Sequence, residues 1–261
     1  MTMILLPPSE GKTDGISKKP LNVKKLSYPQ LTSKREELLA AVVAMAKGPT
    51  AKTRSILSIS AKQDFEILRD QQLLTAATGP AWSVYTGVLY DAIEIASLSP
   101  SAKAKFEKEN FVVSALFGLI SAADLIPAYR LSGDTVVPKI GTLGKFWASA
   151  ITSALGDCND FVIDLRSGNY VKLGATPASI ADQVVVPRIM QHMPKGAPKV
   201  VSHSNKASKG RIVRALAESQ KSISSVDELA KIVSKVSRDV QVIKPKKAGL
   251  PWGLDVIVDA L

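Results

Sequence analysis

Apolar positions along the chain fall in short runs separated by amphipathic stretches, and that alternation predicts most of the elements. Met3-Ile4-Leu5-Leu6 is a compact apolar run closed by Pro7-Pro8. Two residues unable to continue a ladder after four apolar ones predict a buried strand feeding a loop. That loop reads Pro8-Ser9-Glu10-Gly11-Lys12-Thr13-Asp14-Gly15, and the basic stretch Lys18 to Tyr28, bounded by Pro29, predicts an exposed crossing segment. From Leu31 to Lys47, Leu38, Leu39, Val42, Val43, Met45 and Ala46 share one helical face, with Thr32 or Ser33 as cap and Gly48-Pro49 as stop. Phe65, Ile67, Leu68 and Leu73 recur near helical spacing and predict a second core helix between Ser60 and Thr75.

Further along, Gly79-Pro80-Ala81-Trp82-Ser83-Val84-Tyr85-Thr86-Gly87 reads as a turn, a short strand and a tight turn, followed by a helical stretch through Ser97. Phe111 to Leu116 is a buried strand running into Phe117-Gly118-Leu119-Ile120-Ser121. Phe146 to Thr152 predicts a helix, while Phe161 to Leu165 and Pro198 to Ser202 predict strands. A basic helix follows from Ser208 to Ser219; Ser225 with Glu228 three residues on is a capping box, and Gln241 to Ile243 reads as a late strand. Strands alternating with helices predict a mixed α/β (α+β) fold with a central sheet and flanking helices. No internal repeat occurs, and Pro194 to Pro198 reads as a loop, so residues 1–261 read as a single domain.

Composition narrows the classes. With 261 residues and 46% apolar content, the chain buries a core without disulfides or a metal. One cysteine and two histidines are a poor supply of soft ligands, so neither a metal nor a cofactor is expected. The lone Cys158 suits a reducing cytoplasm, and the absence of a long apolar run or a signal-peptide pattern argues against membrane insertion and secretion. The oligomeric state is left open. A net charge of +11, from 34 basic and 23 acidic residues, points toward a polyanion such as DNA, RNA or an anionic membrane surface. Its competing account is a solvated surface.

Gly11-Lys12-Thr13 after a strand invites comparison with a phosphate loop, but the full pattern needs glycine five positions earlier, where Leu6 stands. What survives is placement: Ser9, Glu10, Lys12 and Thr13 follow a strand, where polar groups converge on a site or form a surface turn. Ala115 to Ile120 leads into Asp124 to Arg130, a glycine turn suited to a DNA-holding hairpin or a plain corner with Arg130 paired to an acid. The densest basic segment is His203 to Arg214, where Lys206, Lys209 and Arg211 surround a helix N-terminus that favours phosphate. Asp164 at a strand end with Arg166 two residues later suits acid/base work or a structural ion pair. A Ser/His/Asp hydrolase is rejected, because His203 has Ser202 and Ser204 only as chain neighbours and no nucleophile elbow occurs. Cys158 sits between acids, which raise a thiol's pKa and make it a poor peroxide sensor.

In order, Ser9-Glu10-Gly11-Lys12-Thr13, Tyr85-Thr86-Gly87, Leu116-Phe117-Gly118-Leu119 and Asp124 to Leu131 resemble the YaaA family of bacterial peroxide-stress proteins. Phe146-Trp147, Val162 to Leu165 with Tyr170, and Lys206 to Gly210 extend the resemblance over residues 3–216. It implies a helix–hairpin–helix-like element on Leu116 to Arg130 and a basic cleft that binds DNA. It also implies a role in limiting peroxide damage by keeping free iron low. On that reading Lys12, Arg130, Lys206, Lys209 and Arg211 neutralise phosphates of a shape-read duplex or branched DNA. The alternative is an enzyme acting on a phosphate- or nucleobase-bearing small molecule in a pocket lined by Ser9, Glu10, Lys12, Thr13, Tyr85, Arg130, Asp164 and Arg166.

Overall fold

A computed structural model describes residues 2–194, 196–200, 203–219 and 221–259, with the backbone alone at His203 and Ser204. Its strands are β1 (Thr2–Leu6), β2 (Gly79–Pro80), β3 (Asn110–Ser114), β4 (Gly118–Ser121), β5 (Leu125–Ile126), β6 (Val136–Val137), β7 (Gly141–Thr142), β8 (Phe161–Asp164), β9 (Val184–Gln191), β10 (Lys199–Val200), β11 (Asp239–Ile243) and β12 (Trp252–Val258). The helices are α1 (Thr32–Ala46), α2 (Thr50–Leu57), α3 (Asp64–Gln71), α4 (Ala81–Val84), α5 (Val88–Ile93), α6 (Pro100–Glu109), α7 (Leu143–Gly156), α8 (Gly168–Val171), α9 (His203–Glu218) and α10 (Val226–Val233).

The main sheet runs β11-β12-β9-β8-β1-β3-β4, with β10 on the far end of β9. Strands β12, β9, β8, β1 and β3 are mutually parallel, and β4 and β11 close the edges antiparallel. The fold is therefore mixed α/β with a central, mostly parallel sheet and flanking helices. Parallel strands are covered on both faces and so read as unbroken apolar runs, which is why all of β1 is buried. After β1 the chain builds β3 on one side and β8, β9 and β12 on the other, making β1 the point where strand order reverses. Leu5 lies level with both Phe111 and Asp164, so the carboxyl ends of β1, β3 and β8 open at one height. Ligands of open α/β sheets bind at that crevice.

Several expectations are corrected. Helix α1 has Leu31 at its N-cap with no side-chain cap, because a tight turn over Pro29–Leu31 supplies its first hydrogen bonds. The short strand expected within Gly79 to Gly87 is the two-residue β2 at its start; residues 81–84 form α4, and Tyr85 only bridges to Lys12. Leu116 to Arg130 carries no helix among its residues, all of which are described. Ser114 Oγ accepts the Leu116 and Phe117 amides, and Gly118 turns with φ +66°, so the chain doubles back as β4. A side chain at Gly118 would meet the Trp147 ring at 3.0 Å. The capping box is shifted too. Ser225 Oγ accepts the Glu228 amide, but Glu228 reaches back to the amide and hydroxyl of Ser224. Of the strand expected over Pro198 to Ser202, Lys199–Val200 form β10, and Val201 and Ser202 lie outside the described residues.

Helices α5 and α9 meet at Gly210, where an added Cβ would stand 2.3 Å from the Leu89 carbonyl and 2.7 Å from Ala92 Cβ. Gly210→Leu is expected to lower stability by about 2–3 kcal/mol, since overpacking outweighs the ~1 kcal/mol of helix propensity regained. Urea unfolding reads this directly, and an unchanged midpoint would mean that the helices part freely at this crossing.

Candidate functional site

The loop leaving β1 is pinned at the sheet's switch point by backbone contacts: Thr13 N donates to Val84 O at 2.9 Å and Thr86 N to Gly11 O at 3.1 Å. Gly11 is required there, because a Cβ would approach Thr86 Oγ1 to 2.9 Å. Pinning turns Lys12 inward, leaving it 8% exposed. Its Nζ donates to Ser9 O at 2.7 Å and Glu10 O at 3.3 Å, and lies 4.1 Å from the Tyr129 ring centroid and 5.4 Å from that of Tyr85. Among the described residues no carboxylate lies within ion-pair distance of it. Burial chiefly, then the Arg130 cation, lowers the Lys12 ammonium to about 7, against the weaker pull of Glu66, Asp70 and Glu10. At neutral pH a substantial share of this side chain is therefore the free amine.

Beneath it runs a chain of buried hydroxyls, with Tyr85 OH 2.9 Å from Tyr129 OH and Tyr129 OH 2.8 Å from Ser114 Oγ at the end of β3. Burial raises both phenols, which keeps them neutral donors and acceptors. Helix α3 brings a carboxyl. Asp70 is fully buried, its Oδ1 accepts the Arg130 amide at 2.8 Å, and its Oδ2 has no partner among the described residues. Desolvation pushes this carboxyl up to about 8, opposed by the Arg130 amide and by the charge on Lys12. Around the rim Arg130 Nη2 meets Glu10 at 3.0 Å, and Arg69 meets Asp14 at 3.0 Å and Glu66 at 3.3 Å.

The polarity around α3 departs from expectation in part: Ile67, and Leu73 just beyond the helix, are buried as expected. Phe65 and Leu68, read as core residues, are 50% and 56% exposed, while Glu66 and Asp70, one turn apart, are buried. Sequence reasoning missed both acids because they look like the solvent face of an amphipathic helix. Phe65 and Leu68, three apart, lie on a different face from Ile67, and that conflict was the available signal.

Of the residues singled out from sequence, the structure gathers Ser9, Glu10, Lys12, Tyr85 and Arg130 around this centre. Thr13 is exposed. Asp164 and Arg166 form a buried two-pronged ion pair at 2.9 and 2.7 Å, with Arg166 also donating to Gly174 O. That arrangement engages both carboxylate oxygens of Asp164. Lys209 lies mostly inside, donating to Leu165 O at 2.9 Å, and burial lowers its pKa; Lys206 and Arg211 face solvent. The His203 and Ser204 side chains and Ser202 fall outside the described residues. The Cys158 thiol is raised by burial first, opposed by the Asp160 amide that donates to it, with the Asp160 charge adding a smaller push upward. Among the described residues no three His, Cys, Asp or Glu side chains gather as a metal-ligating group, and no helix is long and apolar enough to cross a membrane. A separate open cleft of about 630 Å³ is lined by Lys19, Lys24, Lys25, Glu36 and Asp124.

Sheet and site define an α/β protein with a buried lysine–carboxyl centre at the topological switch of a parallel sheet. The chain belongs to the YaaA family: the family model described as peroxide stress protein YaaA matches residues 2–236. A UPF0246 protein of Streptomyces coelicolor is 38% identical over 260 residues, covering 98% of each chain. Another from Corynebacterium glutamicum is 42% identical over 234 residues, covering 88% of this chain and 91% of its own. An uncharacterized protein of Campylobacter jejuni is 26% identical over 224 residues, covering 83% of this chain and 85% of its own.

Proposed function

We propose that this peroxide-stress family member works in the cytoplasm, as one domain, by binding and acting on a small phosphate- or nucleobase-bearing molecule at the Lys12 centre. The observation that carries the reading is Lys12 itself, a buried amine without an ion-pair partner among the described residues, resting on the Tyr129 ring. Such a group costs stability, and a packing role would be filled better by an apolar chain of the same length. A free amine beside a neutral carboxyl supplies a base or nucleophile and an acid in one crevice. The rings of Tyr85 and Tyr129 lie against the amine, and their hydroxyls form a separate chain with Ser114. Thermal shift with AMP, ADP, adenine and inorganic phosphate tests this. At a hundred times the dissociation constant a true ligand adds about 2.7 kcal/mol to wild-type stability. A flat response to all four probes would remove the reading.

A second reading, DNA contact that limits iron and peroxide damage, is favoured by the +11 charge and the lysine-lined cleft. Lys12, Arg130 and Lys209 turn inward, so this reading rests on Lys206, Arg211 and the Lys19–Lys25 segment. Fluorescence anisotropy of duplex and junction DNA against salt is its measure. Lys206→Glu with Arg211→Glu should reduce the salt slope by about two units, roughly one for each phosphate no longer neutralised. Wild-type binding that ignores salt, or is absent, would end it.

A further inference from the structure

Two arginines flank the Lys12 loop, and they are satisfied differently. Arg69 donates to the Lys12 carbonyl and pairs with both Glu66 and Asp14. Arg130 has one side-chain partner among the described residues, a single oxygen of Glu10 at Nη2, and its buried Nε has none. The exposures are unequal as well, 12% for the Arg130 side chain against 64% for that of Glu10. A guanidinium presents Nε–H and Nη2–H as a parallel fork that fits two oxygens of one oxyanion. Glu10 therefore fills one prong and leaves the other desolvated and empty, which is the costly half of a hydrogen bond.

We propose that Glu10 occupies, in the free protein, the seat of a ligand oxyanion on Arg130, and that a phosphoryl or carboxylate group takes this seat by displacing Glu10 and engaging both prongs. The inference rests on the reading of the Lys12 centre as a ligand site and names the group that the ligand presents to it. Release is cheap, because Glu10 is a mostly exposed side chain whose ion pair is screened by water. Its backbone stays in place, since the Glu10 carbonyl accepts from Lys12 Nζ and the adjoining Gly11 carbonyl accepts from Thr86. Asp70, bound to the Arg130 amide, is the buried acid nearest to the seat along the chain of contacts, and burial favours its uncharged form, so it does not repel an incoming anion. The amine of Lys12 is tied to the same loop through the Ser9 and Glu10 carbonyls, so movement of the Glu10 side chain leaves it in place.

Calorimetric titration of the full chain with inorganic phosphate, and separately with acetate, tests the seat in wild type, Glu10→Gln, Arg130→Gln and Arg130→Lys. Glu10→Gln should bind the preferred anion about tenfold more tightly, because the competing charge is gone. Arg130→Gln should lose binding, and Arg130→Lys, which keeps the charge but not the fork, should fall between. Phosphate binding without acetate binding assigns a phosphoryl ligand; the reverse assigns a carboxylate. Equal affinities in wild type and Glu10→Gln would overturn the displacement while leaving the ligand site standing. Silence from both anions in wild type and in Glu10→Gln, with both variants shown to be folded by circular dichroism, would overturn the seat. Silence from AMP, ADP and adenine as well would take the ligand site with it.

Discussion

Lys12→Met is expected to abolish ligand-induced stabilisation and at the same time to flatten the pH dependence of unfolding between about pH 7 and the ordinary lysine value of 10.5. In the unfolded chain Lys12 keeps its proton throughout that window, while in the folded protein it gives the proton up near 7. The unfolded state therefore binds more protons there, and wild-type stability rises with pH. Below about 7 both states carry the charge, and the full cost of burying it is present. At its upper limit that cost is on the order of 4–5 kcal/mol, and methionine, of similar length and without charge, removes it. Lys12→Met should then be more stable than wild type at pH 7 and unable to respond to any ligand. Asp70 works in the opposite sense. Its carboxyl, raised to about 8, holds a proton that the unfolded chain has lost, so its contribution is full below about pH 4 and fades as pH rises through 8. Wild type thus passes through a stability minimum near pH 7 to 8, which Lys12→Met converts to a decline that levels off above about pH 8. Denaturant midpoints from pH 5 to 10 decide it. A variant less stable than wild type at pH 7, with the rise toward pH 10 intact, would show that Lys12 is a packing residue.

Arg35→Leu is expected to cost about 4 kcal/mol, in the range for taking the donor from several carbonyl acceptors at once. Arg35 is fully buried, donates from Nε to Phe117 O at 2.8 Å, and from Nη2 to Ser27 O at 2.7 Å and Leu119 O at 2.8 Å. Burial lowers it to about 10, with Asp124 pulling the other way, so it remains charged at every working pH. Three backbone carbonyls would be left without a donor in the interior. The damage should reach the site, because Phe117 packs edge-on against Tyr129 at 5.4 Å, and Tyr129 is the ring beneath Lys12. Arg35→Lys, with charge but fewer directed donors, should lose about half as much. Guanidinium unfolding gives the stability and thermal shift the ligand response; a loss under about 1 kcal/mol in Arg35→Leu would mean that the hairpin tip holds itself.

Arg35 also marks where sequence reasoning stops. It stands on α1 among Leu38, Leu39 and Val42, and by itself a charged residue at that place reads as solvent-facing. Only the arrival of the β3–β4 hairpin, more than eighty residues later in the chain, supplies the carbonyls that make its burial tolerable. Glu66 and Asp70 repeat the lesson on α3, where the periodicity selected Phe65 and Leu68 for the interior and the structure chose the acids. Helices α2 and α6 and strands β9 and β12 carried too weak a pattern to be read. Helix α6 buries only Ala102, Phe106 and Glu109, and β9 and β12 are interrupted by Pro187 and by Gly253 and Asp255.

Local chemistry by itself determined β1 and its proline stop, the helices over α1 and α7, the strand β8, the basic charge and the order of motifs that marks the family. Those features depend on contiguous residues, whose hydrophobic period and turn propensities act over a few positions. Tertiary structure alone decided which polar residues meet. Lys12, Asp70, Ser114 and the Tyr129-Arg130 pair come from four separate stretches of chain, and they share a centre because β1 sits where the strand order reverses and brings the strand ends level. Burial of those groups, and with it the lowered lysine and raised carboxyl, is a property of the assembled sheet and its covering helix, which no short window of sequence contains.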